Sequence, residues 1–186
     1  MLLTYKNITK ILPIIRLDLY NYKDSSLLIP TKYLDKILIL IKNHFNYQFK
    51  ILTCISGVDY PKNYYRFQVV YEFLSLKFNT RLRVKILITD LIPISTIEQI
   101  FLTATWWECE VWDMFGLFFI NQNNLTRLLT DYGFIGFPLR KDFPLSGFTE
   151  LKYSTIKNKV VYENISFSQE YRHFNFLCPW EHYNNK

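Results

Sequence analysis

Residues 64–89 read YYRFQVVYEFLSLKFNTRLRVKILIT, and this stretch decides the fold. It contains two runs rich in β-branched and aromatic residues, Tyr64–Leu76 and Leu82–Thr89, which are typical of strands. From Arg81 to Ile86, basic and apolar side chains alternate, which indicates a strand with one wet face and one buried face. Because the connection Lys77–Thr80 is short, the two strands are predicted to form a hairpin.

The segment before this hairpin predicts helices and a further strand. Pro30 suits the first position of a helix that runs to about Phe45 and carries apolar residues along one face. Phe49–Ser56 is rich in strand-forming residues, and Gly57 and a turn at Asp59-Tyr60-Pro61 are predicted to end that strand. Residues 2–17 are basic and apolar, and we interpret them as an amphipathic first helix rather than an organelle presequence.

The segment after the hairpin predicts two short helices and a strand. Ser95–Glu98 matches a capping box, with Ser95 as the N-cap residue, and predicts a helix to about Thr105. A second helix of one or two turns is predicted over Trp107–Met114, followed by a short strand at Leu117–Phe119.

These elements predict an α+β fold. It is a two-layer domain with helices on one face of a mixed β-sheet, followed by a long irregular C-terminal extension. The predicted organisation is an N-terminal extension or amphipathic helix (1–28), an α+β domain (29–120), and a strap and extended tail that dock on partner subunits (121–186). With 49% hydrophobic residues among 186, the chain has enough material for a core, which excludes general disorder.

Charge and cysteine content exclude several classes of protein. The net charge of +6 is uneven, since residues 1–94 carry 14 Lys/Arg against 6 Asp/Glu and the remainder is slightly acidic. Cys54, Cys109 and Cys178 are widely spaced without a C-x-x-C pair, which excludes a disulfide framework and an iron–sulfur or zinc ligand set. The longest aliphatic run, Ile37–Ile41, is far below the roughly 20 residues of a membrane span.

Residues 125–144, LTRLLTDYGFIGFPLRKDFP, form a segment that we call the strap. Neither a helical nor a strand period persists in it, Gly133 and Gly136 permit positive φ, and Pro138 and Pro144 fix φ and remove donors. Its rings are spaced so that they are not expected to cover one another, and we predict that they bury against another surface. The rings are Tyr132, Phe134, Phe137 and Phe143.

The tail after the strap lacks a core of its own. Gly147–Tyr153 and Lys159–Tyr162 are predicted to pair as a small hairpin around Lys157-Asn158, and Phe167–Glu181 is aromatic without a regular element. We therefore predict that strap and tail contact other proteins. The predicted partner-contact residues are Arg127, Asp131, Tyr132, Gly133, Phe134, Arg140, Lys141, Asp142, Phe143, Pro144, Tyr171, Phe174 and Trp180.

Two other functions remain open from the residues alone. Glu108, Glu110 and Asp113 make a small α+β enzyme with paired acids conceivable, but no nucleophile or metal set accompanies them, and we favour structural carboxylates that pair with arginines. The basic N-terminal half is also compatible with an RNA-binding module. Such a module needs basic and exposed aromatic residues on one surface, and the run from Lys62 to Arg66 is the one cluster in the sequence that combines them. The histidines His44, His173 and His182 are scattered, and we interpret them as surface or capping residues.

Several runs resemble a known family. WWECEVWDMFG (106–116), LLTDYGF (128–134) and PLRKDFPLSGF (138–148) resemble the thirty-kilodalton subunit of respiratory NADH:quinone oxidoreductase (complex I), called NADH dehydrogenase subunit 9 in organelle-encoded form. SQEYRHFNF (168–176) and PWE (179–181) resemble its ending.

The resemblance implies a non-catalytic structural and assembly subunit of the peripheral arm, on the matrix side of the mitochondrial inner membrane. The forty-nine-kilodalton subunit and neighbouring iron–sulfur subunits of the quinone module would be its partners, with no nucleic acid and no membrane contact outside the complex. No cofactor would be held by this chain, because NADH, FMN, iron–sulfur clusters and ubiquinone are expected on other subunits.

The chain departs from the family pattern at three places. Cys109 stands where arginine is usual between the two glutamates. Gln122, Asn123 and Asn124, followed by Thr126-Arg127, stand where His-Pro-Asp and paired arginines usually precede the LTDYGF run. Phe137 replaces the histidine that usually precedes PLRKDFP. These changes suggest partner surfaces that changed together.

Overall fold

The computed structural model describes residues 2–19, 25–172 and 174. Two compact units are present, Met1–Phe143 and Pro144–Lys186. The first unit contains the elements in this order: α1 (Leu2–Ile11), β1 (Arg16–Leu19), β2 (Ser25–Leu28), a 3₁₀ turn (Thr31–Tyr33), α2 (Leu34–Asn43), β3 (Ile51–Asp59), β4 (Phe67–Ser75), β5 (Thr80–Ile88), β6 (Ile94–Ser95), α3 (Ala104–Phe115) and β7 (Phe119–Ile120). The second contains β8 (Thr149–Ser154) and β9 (Lys159–Asn164).

A five-stranded mixed sheet forms the centre of the first unit, in the order β1-β2-β5-β4-β3. The β4–β5 hairpin predicted from residues 64–89 is confirmed, with antiparallel pairing from Phe67↔Ile88 to Ser75↔Thr80. β2 runs parallel to β5, and the other pairs are antiparallel. Strands β1 and β2 were not predicted, because four-residue strands leave too short a periodic signal to detect.

The core lies on one face of this sheet, where β4 and β5 place alternate apolar side chains. Phe67 contacts Phe115 of α3 at a ring separation of 6.3 Å, and Phe73 contacts Phe101 before α3 at 5.3 Å. The α2 stripe around Ile37 and Ile41 is buried in the same cluster. The predicted α+β fold with helices against one face of a mixed sheet is confirmed, as is α2. The first helix is confirmed over Leu2–Ile11, but the end of the predicted range 2–17 is wrong, since strand β1 begins at Arg16.

The helix predicted from the capping box is wrong. Ile94–Ser95 is strand β6, which pairs in parallel with β7, and α3 is a single helix that begins only at Ala104. The N–H groups of Ile94 and Thr96 donate to carbonyls of 118 and 120, which holds this segment extended. The N–H of Ile97 donates to Glu108 of α3. The acceptor that a capping box would supply locally therefore comes from a residue 11 positions away.

The predicted end of β3 at Gly57 is also wrong, since the strand continues to Asp59. A Cβ at position 57 would lie 2.6 Å from the Phe115 ring. The glycine therefore permits close packing of α3 on the strand.

The second unit contains the predicted tail hairpin, which is confirmed as β8–β9 with register from Thr149↔Asn164 to Ser154↔Lys159. Leu151 lies opposite Tyr162, and Tyr153 lies opposite Val160, so these four side chains share one face of the hairpin. More than half of each side chain is exposed. No residue of this unit is buried among those that the structure describes.

Candidate functional site

The candidate site is the strap and the end of the sheet to which residues 125–143 are bound. Asp113, near the C-terminus of α3, makes the first attachment and is fully buried. Its Oδ2 accepts the backbone N–H groups of Leu128 (3.2 Å), Leu129 (2.8 Å) and Thr130 (2.9 Å). Its Oδ1 accepts the Thr130 hydroxyl at 2.6 Å and Arg127 Nη1 at 3.1 Å. One carboxylate thus fixes the path of four consecutive residues.

These hydrogen bonds decide the charge state of Asp113. Burial raises the pKa of the carboxyl group, and the hydrogen bonds from Thr130 and from the backbone at 128–130 lower it. The second effect is larger, so the pKa of Asp113 lies below its ordinary value. Asp113 is therefore an ionised structural carboxylate, and its predicted pairing with an arginine is confirmed.

Asp59, at the end of β3, makes the second attachment. Its two oxygens accept Arg66 Nε at 2.8 Å and Nη2 at 2.9 Å, and Oδ2 also accepts the N–H of Lys141 at 2.8 Å. Arg66 reaches the strap as well, since its Nη2 lies 3.0 Å from Asp142 Oδ1. The hydrogen bonds from Arg66 hold the pKa of Asp59 below its ordinary value. The strap is therefore bound to β3 through a charged network that spans 82 positions of sequence.

Arg140 makes the third attachment. Its Nε donates to the carbonyl of Phe115 at 2.6 Å, and its Nη2 lies 3.2 Å from Asp90 Oδ1. The guanidinium carbon lies 4.7 Å from the centre of the Phe137 ring, and that of Arg127 lies 5.7 Å from the same ring. Both guanidinium groups therefore make cation–π contacts with Phe137, which orders the middle of the strap.

The expectation that the strap rings do not cover one another is wrong for one pair. Phe134 and Phe143 lie 5.9 Å apart between ring centres, and both are half-buried. Gly136, at φ +113, lies against the Phe143 ring, where a Cβ would come within 2.7 Å. The positive φ turns the chain sharply enough to bring together rings that are nine residues apart.

The predicted partner-contact residues fall into three groups. The side chains of Arg127, Arg140 and Asp142 and the backbone of Lys141 bind this chain itself. Phe134 and Phe143 pack on each other. The exposed positions are Asp131, Tyr132, Gly133, Pro144, Tyr171 and Phe174. Trp180 lies outside the described residues, and contact of any of these positions with a partner stays a prediction.

Two exposed side chains stand out on the strap. Tyr132 is 97% exposed and Ile135 is 89% exposed, so neither contributes appreciably to the packing of its own chain. Ile135 was not among the predicted contact residues, although its place between Gly133 and Gly136 was a usable signal. The anchors Asp59, Asp90 and Arg66 were also missed, because nothing local in the sequence connects them with the strap.

The three acids of the enzyme hypothesis do not form one site. Glu108 is fully buried, with Oε2 accepting the Thr96 hydroxyl at 2.6 Å and Oε1 accepting the Ile97 N–H at 2.8 Å. Burial raises the pKa of Glu108 to about 7. Glu110 is only half-buried, and Asp113 binds the strap. The predicted pairing of Glu108 with an arginine is wrong, since no cation lies within ion-pair distance of it in the described part of the chain.

Residues considered for RNA or metal binding make contacts within their own chain, in the part of the chain that the structure describes. Tyr64 is 86% exposed and stacks edge-on against Tyr65, but the Arg66 guanidinium is held by Asp59 and Asp142. His44 is the C-cap residue of α2, as predicted, and its backbone N–H donates to the Leu40 carbonyl. Its ring stacks on Tyr47 at 4.5 Å between ring centres and accepts the N–H of Asn46. His173 and His182 lie outside the described residues. No cluster of three or more metal-ligating side chains occurs among residues 2–19, 25–172 and 174.

We expect two glycine variants to separate backbone strain from packing of the strap. Gly116, which follows α3, has φ +76, and a Cβ there would lie 2.6 Å from the Phe137 ring and 2.9 Å from Arg140 Nη2. Gly133 has φ +73 and open space around it. Gly133→Ala should lose about 1–2 kcal/mol of unfolding free energy from strain alone, and Gly116→Ala about 1–3 kcal/mol more from overpacking. Urea unfolding measures both, and equal losses would contradict the packing of the strap on α3.

The family model "Respiratory-chain NADH dehydrogenase, 30 Kd subunit" matches residues 27–149, which include every anchor of the strap. The chain belongs to this family. NADH dehydrogenase [ubiquinone] iron-sulfur protein 3 of Patellifolia webbiana is 49% identical over 83% of this chain and 80% of its own length. NADH-ubiquinone oxidoreductase subunit 9 of Reclinomonas americana is 43% identical over 88% and 80%.

A solved structure shows the same fold at lower identity. A chain in the membrane-bound sulfane sulfur reductase, an archaeal respiratory membrane complex, has a TM-score of 0.64 and 23% identity, covering 76% of this chain and 84% of that one. In this member of the thirty-kilodalton subunit family, none of the described helices is long and apolar enough to cross a bilayer.

Two of the departures from the family pattern contact each other. Gln122 Nε2 donates to Cys109 Sγ at 3.3 Å and to the Thr105 carbonyl at 3.0 Å. The third departure, Phe137, receives the guanidinium groups of Arg127 and Arg140 on its ring. The substituted residues of this thirty-kilodalton family member thus serve internal packing.

Proposed function

We propose that this chain is a non-catalytic structural and assembly subunit of the peripheral arm of respiratory complex I. It supports electron transfer from NADH to ubiquinone by holding the quinone-reducing module together, with strap and tail against the forty-nine-kilodalton subunit and neighbouring iron–sulfur subunits. Its place is the matrix side of the mitochondrial inner membrane, with membrane association only through the complex. Family membership supports the assembly, and the geometry of the strap supports the role.

The observation that carries this proposal is a strap that is bound to its own chain at three places and still presents apolar side chains to solvent. Three anchors hold the backbone, and Tyr132 and Ile135 nonetheless lie almost wholly in solvent. A fixed segment that presents a tyrosine and an isoleucine loses little conformational entropy on association. Burying these side chains against a partner is favourable by about 25 cal/mol per Å² of apolar surface.

The second unit supports the same conclusion, because none of its described residues is buried. A two-stranded hairpin is at best marginally stable alone. The β8–β9 hairpin exposes an apolar face formed by Leu151, Tyr153, Val160 and Tyr162. Covering this face by another subunit would remove apolar surface from water and stabilise the hairpin.

The cysteines of the described chain do not fit an iron–sulfur cluster, although relatives are named iron-sulfur proteins. Such clusters take four thiolates in the common arrangement, and the chain has three cysteines. Cys109 is buried, and its Sγ accepts a hydrogen bond from Gln122 and donates one to the Asn124 carbonyl. Cys54 lies on β3. We therefore place NADH, FMN, the clusters and ubiquinone on other subunits.

Truncation of the two exposed strap side chains tests this function. We expect Tyr132→Ala with Ile135→Ala to leave the melting temperature of the purified chain unchanged, because neither side chain packs on its own unit. In cells that depend on the variant, the fully assembled complex on native gels should fall at least about tenfold, as expected for loss of interface anchors.

Leu76→Ala is the matched control. Leu76 is 73% exposed in the β4–β5 turn, at the opposite end of the sheet from Asp59. This variant should assemble normally. Normal assembly of the double strap variant would contradict the proposed function.

A further inference from the structure

At the start of α3, an exposed apolar pair lies near a half-buried carboxylate, that of Glu110. Trp106 is 66% exposed, and Leu102, which precedes the helix, is 82% exposed. Glu110 follows Trp106 by four positions, so their side chains are neighbours on one helix face, with Cβ atoms about 5–6 Å apart. An exposed tryptophan is unusual, because its large ring is normally covered.

This tryptophan differs from two other aromatic residues on or just before α3, Phe101 and Trp112. Phe101 has Lys42 Nζ at 4.9 Å from its ring centre, and Trp112 has the Arg127 guanidinium at 5.6 Å. Over the described ranges, Trp106 has no such cation, and Glu110 has neither a hydrogen-bond donor nor an ion-pair partner. Trp106 and Glu110 thus combine an exposed ring and a carboxylate, side by side, with no cation from the described part of the chain on either.

We propose that Trp106 and Glu110 form a docking surface for an arginine side chain of a neighbouring protein in the assembly. A planar guanidinium stacks on an indole face and at the same time directs N–H groups at a carboxylate beside it. Lysine matches this pair less well, because its ammonium group is a compact point charge without a face to stack. Leu102 supplies an adjacent apolar contact for the residues around that arginine.

This inference rests on the proposed function for the existence of an assembly, but it concerns a surface separate from the strap. Tryptophan and arginine are the residues in which interface binding energy concentrates. The surface therefore predicts a second attachment point, which fixes the orientation of the subunit in addition to the strap.

A photo-crosslinking amino acid at position 106 of the full chain, in the assembled complex, identifies the occupant. We expect a cross-link to a peptide of another subunit that contains an arginine at the contact. The same probe at position 76 serves as the control and should give none to that peptide. A cross-link from 106 to this chain itself, to a peptide without arginine, or to nothing while the complex is intact would overturn the proposal.

Substitutions then test the chemistry of the contact. Glu110→Lys should reduce assembled complex more than about tenfold on native gels, Glu110→Gln less, and Trp106→Phe less than Trp106→Ala. All four should leave the melting temperature of the isolated chain unchanged. Glu110→Arg combined with arginine-to-glutamate exchange at the cross-linked position of the partner should restore assembly, and failure of this rescue would overturn the ion pair.

The strap variant separates the two proposals. Loss of assembly with Glu110→Lys, but not with Tyr132→Ala and Ile135→Ala together, would sustain this surface and reject the strap. The reverse pattern would reject this surface and sustain the strap.

Discussion

Replacing Asp113 with alanine should lower the unfolding free energy of the chain by about 3–5 kcal/mol, the cost of leaving buried charged partners unpaired. The variant deprives three backbone N–H groups, the Thr130 hydroxyl and Arg127 of their shared acceptor. Urea unfolding of the full chain, followed by tryptophan fluorescence, measures the loss.

Asp131→Asn is the control for this prediction. Asp131 is an exposed carboxylate of the same strap, and its Oδ1 accepts the N–H of Tyr132 at 2.8 Å. Asparagine keeps this acceptor oxygen, so the change should stay within about 0.5 kcal/mol. Because the pKa of Asp113 is depressed in the folded chain, its contribution is present above the unfolded pKa of about 3.9 and is lost as the pH falls through the lower folded value. A loss below about 1 kcal/mol for Asp113→Ala would contradict the anchoring of the strap by this residue.

Glu108→Gln should stabilise the chain in alkaline solution and have little effect in mild acid. The folded pKa of Glu108 is raised from 4.5 to about 7. The contribution of Glu108 to the unfolding free energy is therefore greatest at pH values below its unfolded pKa of 4.5, and it falls as the pH rises toward 7. A shift of this size corresponds to about 3 kcal/mol above pH 7, at about 1.4 kcal/mol per unit. Glutamine removes this loss, because its amide can donate to Thr96 and accept from Ile97.

The measurement is the urea midpoint of the wild type and Glu108→Gln at pH 5 and pH 8. Both values lie above the range in which Asp59 and Asp113 take up protons, so those carboxylates do not obscure the result. The midpoints should lie close together at pH 5, where the expected difference in unfolding free energy is below about 1 kcal/mol, and should separate at pH 8, with the variant higher. Parallel curves for the two proteins would show that Glu108 is ionised across the whole range.

Local patterns predicted the elements whose cause is local. The alternation from Arg81 to Ile86 predicted the β4–β5 hairpin, and the stripe from Leu34 to Ile41 predicted α2. The turn at Lys157-Asn158 predicted the tail hairpin, and Asn158 has φ +50 there. In each case, the residues that determine the conformation lie within one element or one turn.

The failures have a long-range cause. The Ser95–Glu98 capping box does not begin a helix, because Ser95 pairs with β7 and the N–H of Ile97 donates to Glu108 of α3. Similarly, Asp59 looked like a turn residue, and its bond to Lys141 depends on chain folding across most of the first unit. Sequence reasoning found the strap and its exposed tyrosine, but not the anchors, because pairing over such separations leaves no periodic signal.

The Asp113 anchor has a consequence for how this surface diversifies. The Asp113 carboxylate accepts the main-chain N–H groups of Leu128 and Leu129. The attachment therefore does not depend on which side chains stand at those two positions. Substitutions there leave this attachment intact, and Leu129, which is 61% exposed, has the freer side chain of the two. The atoms that fix the path of the strap are therefore distinct from the side-chain atoms that these residues present to their surroundings.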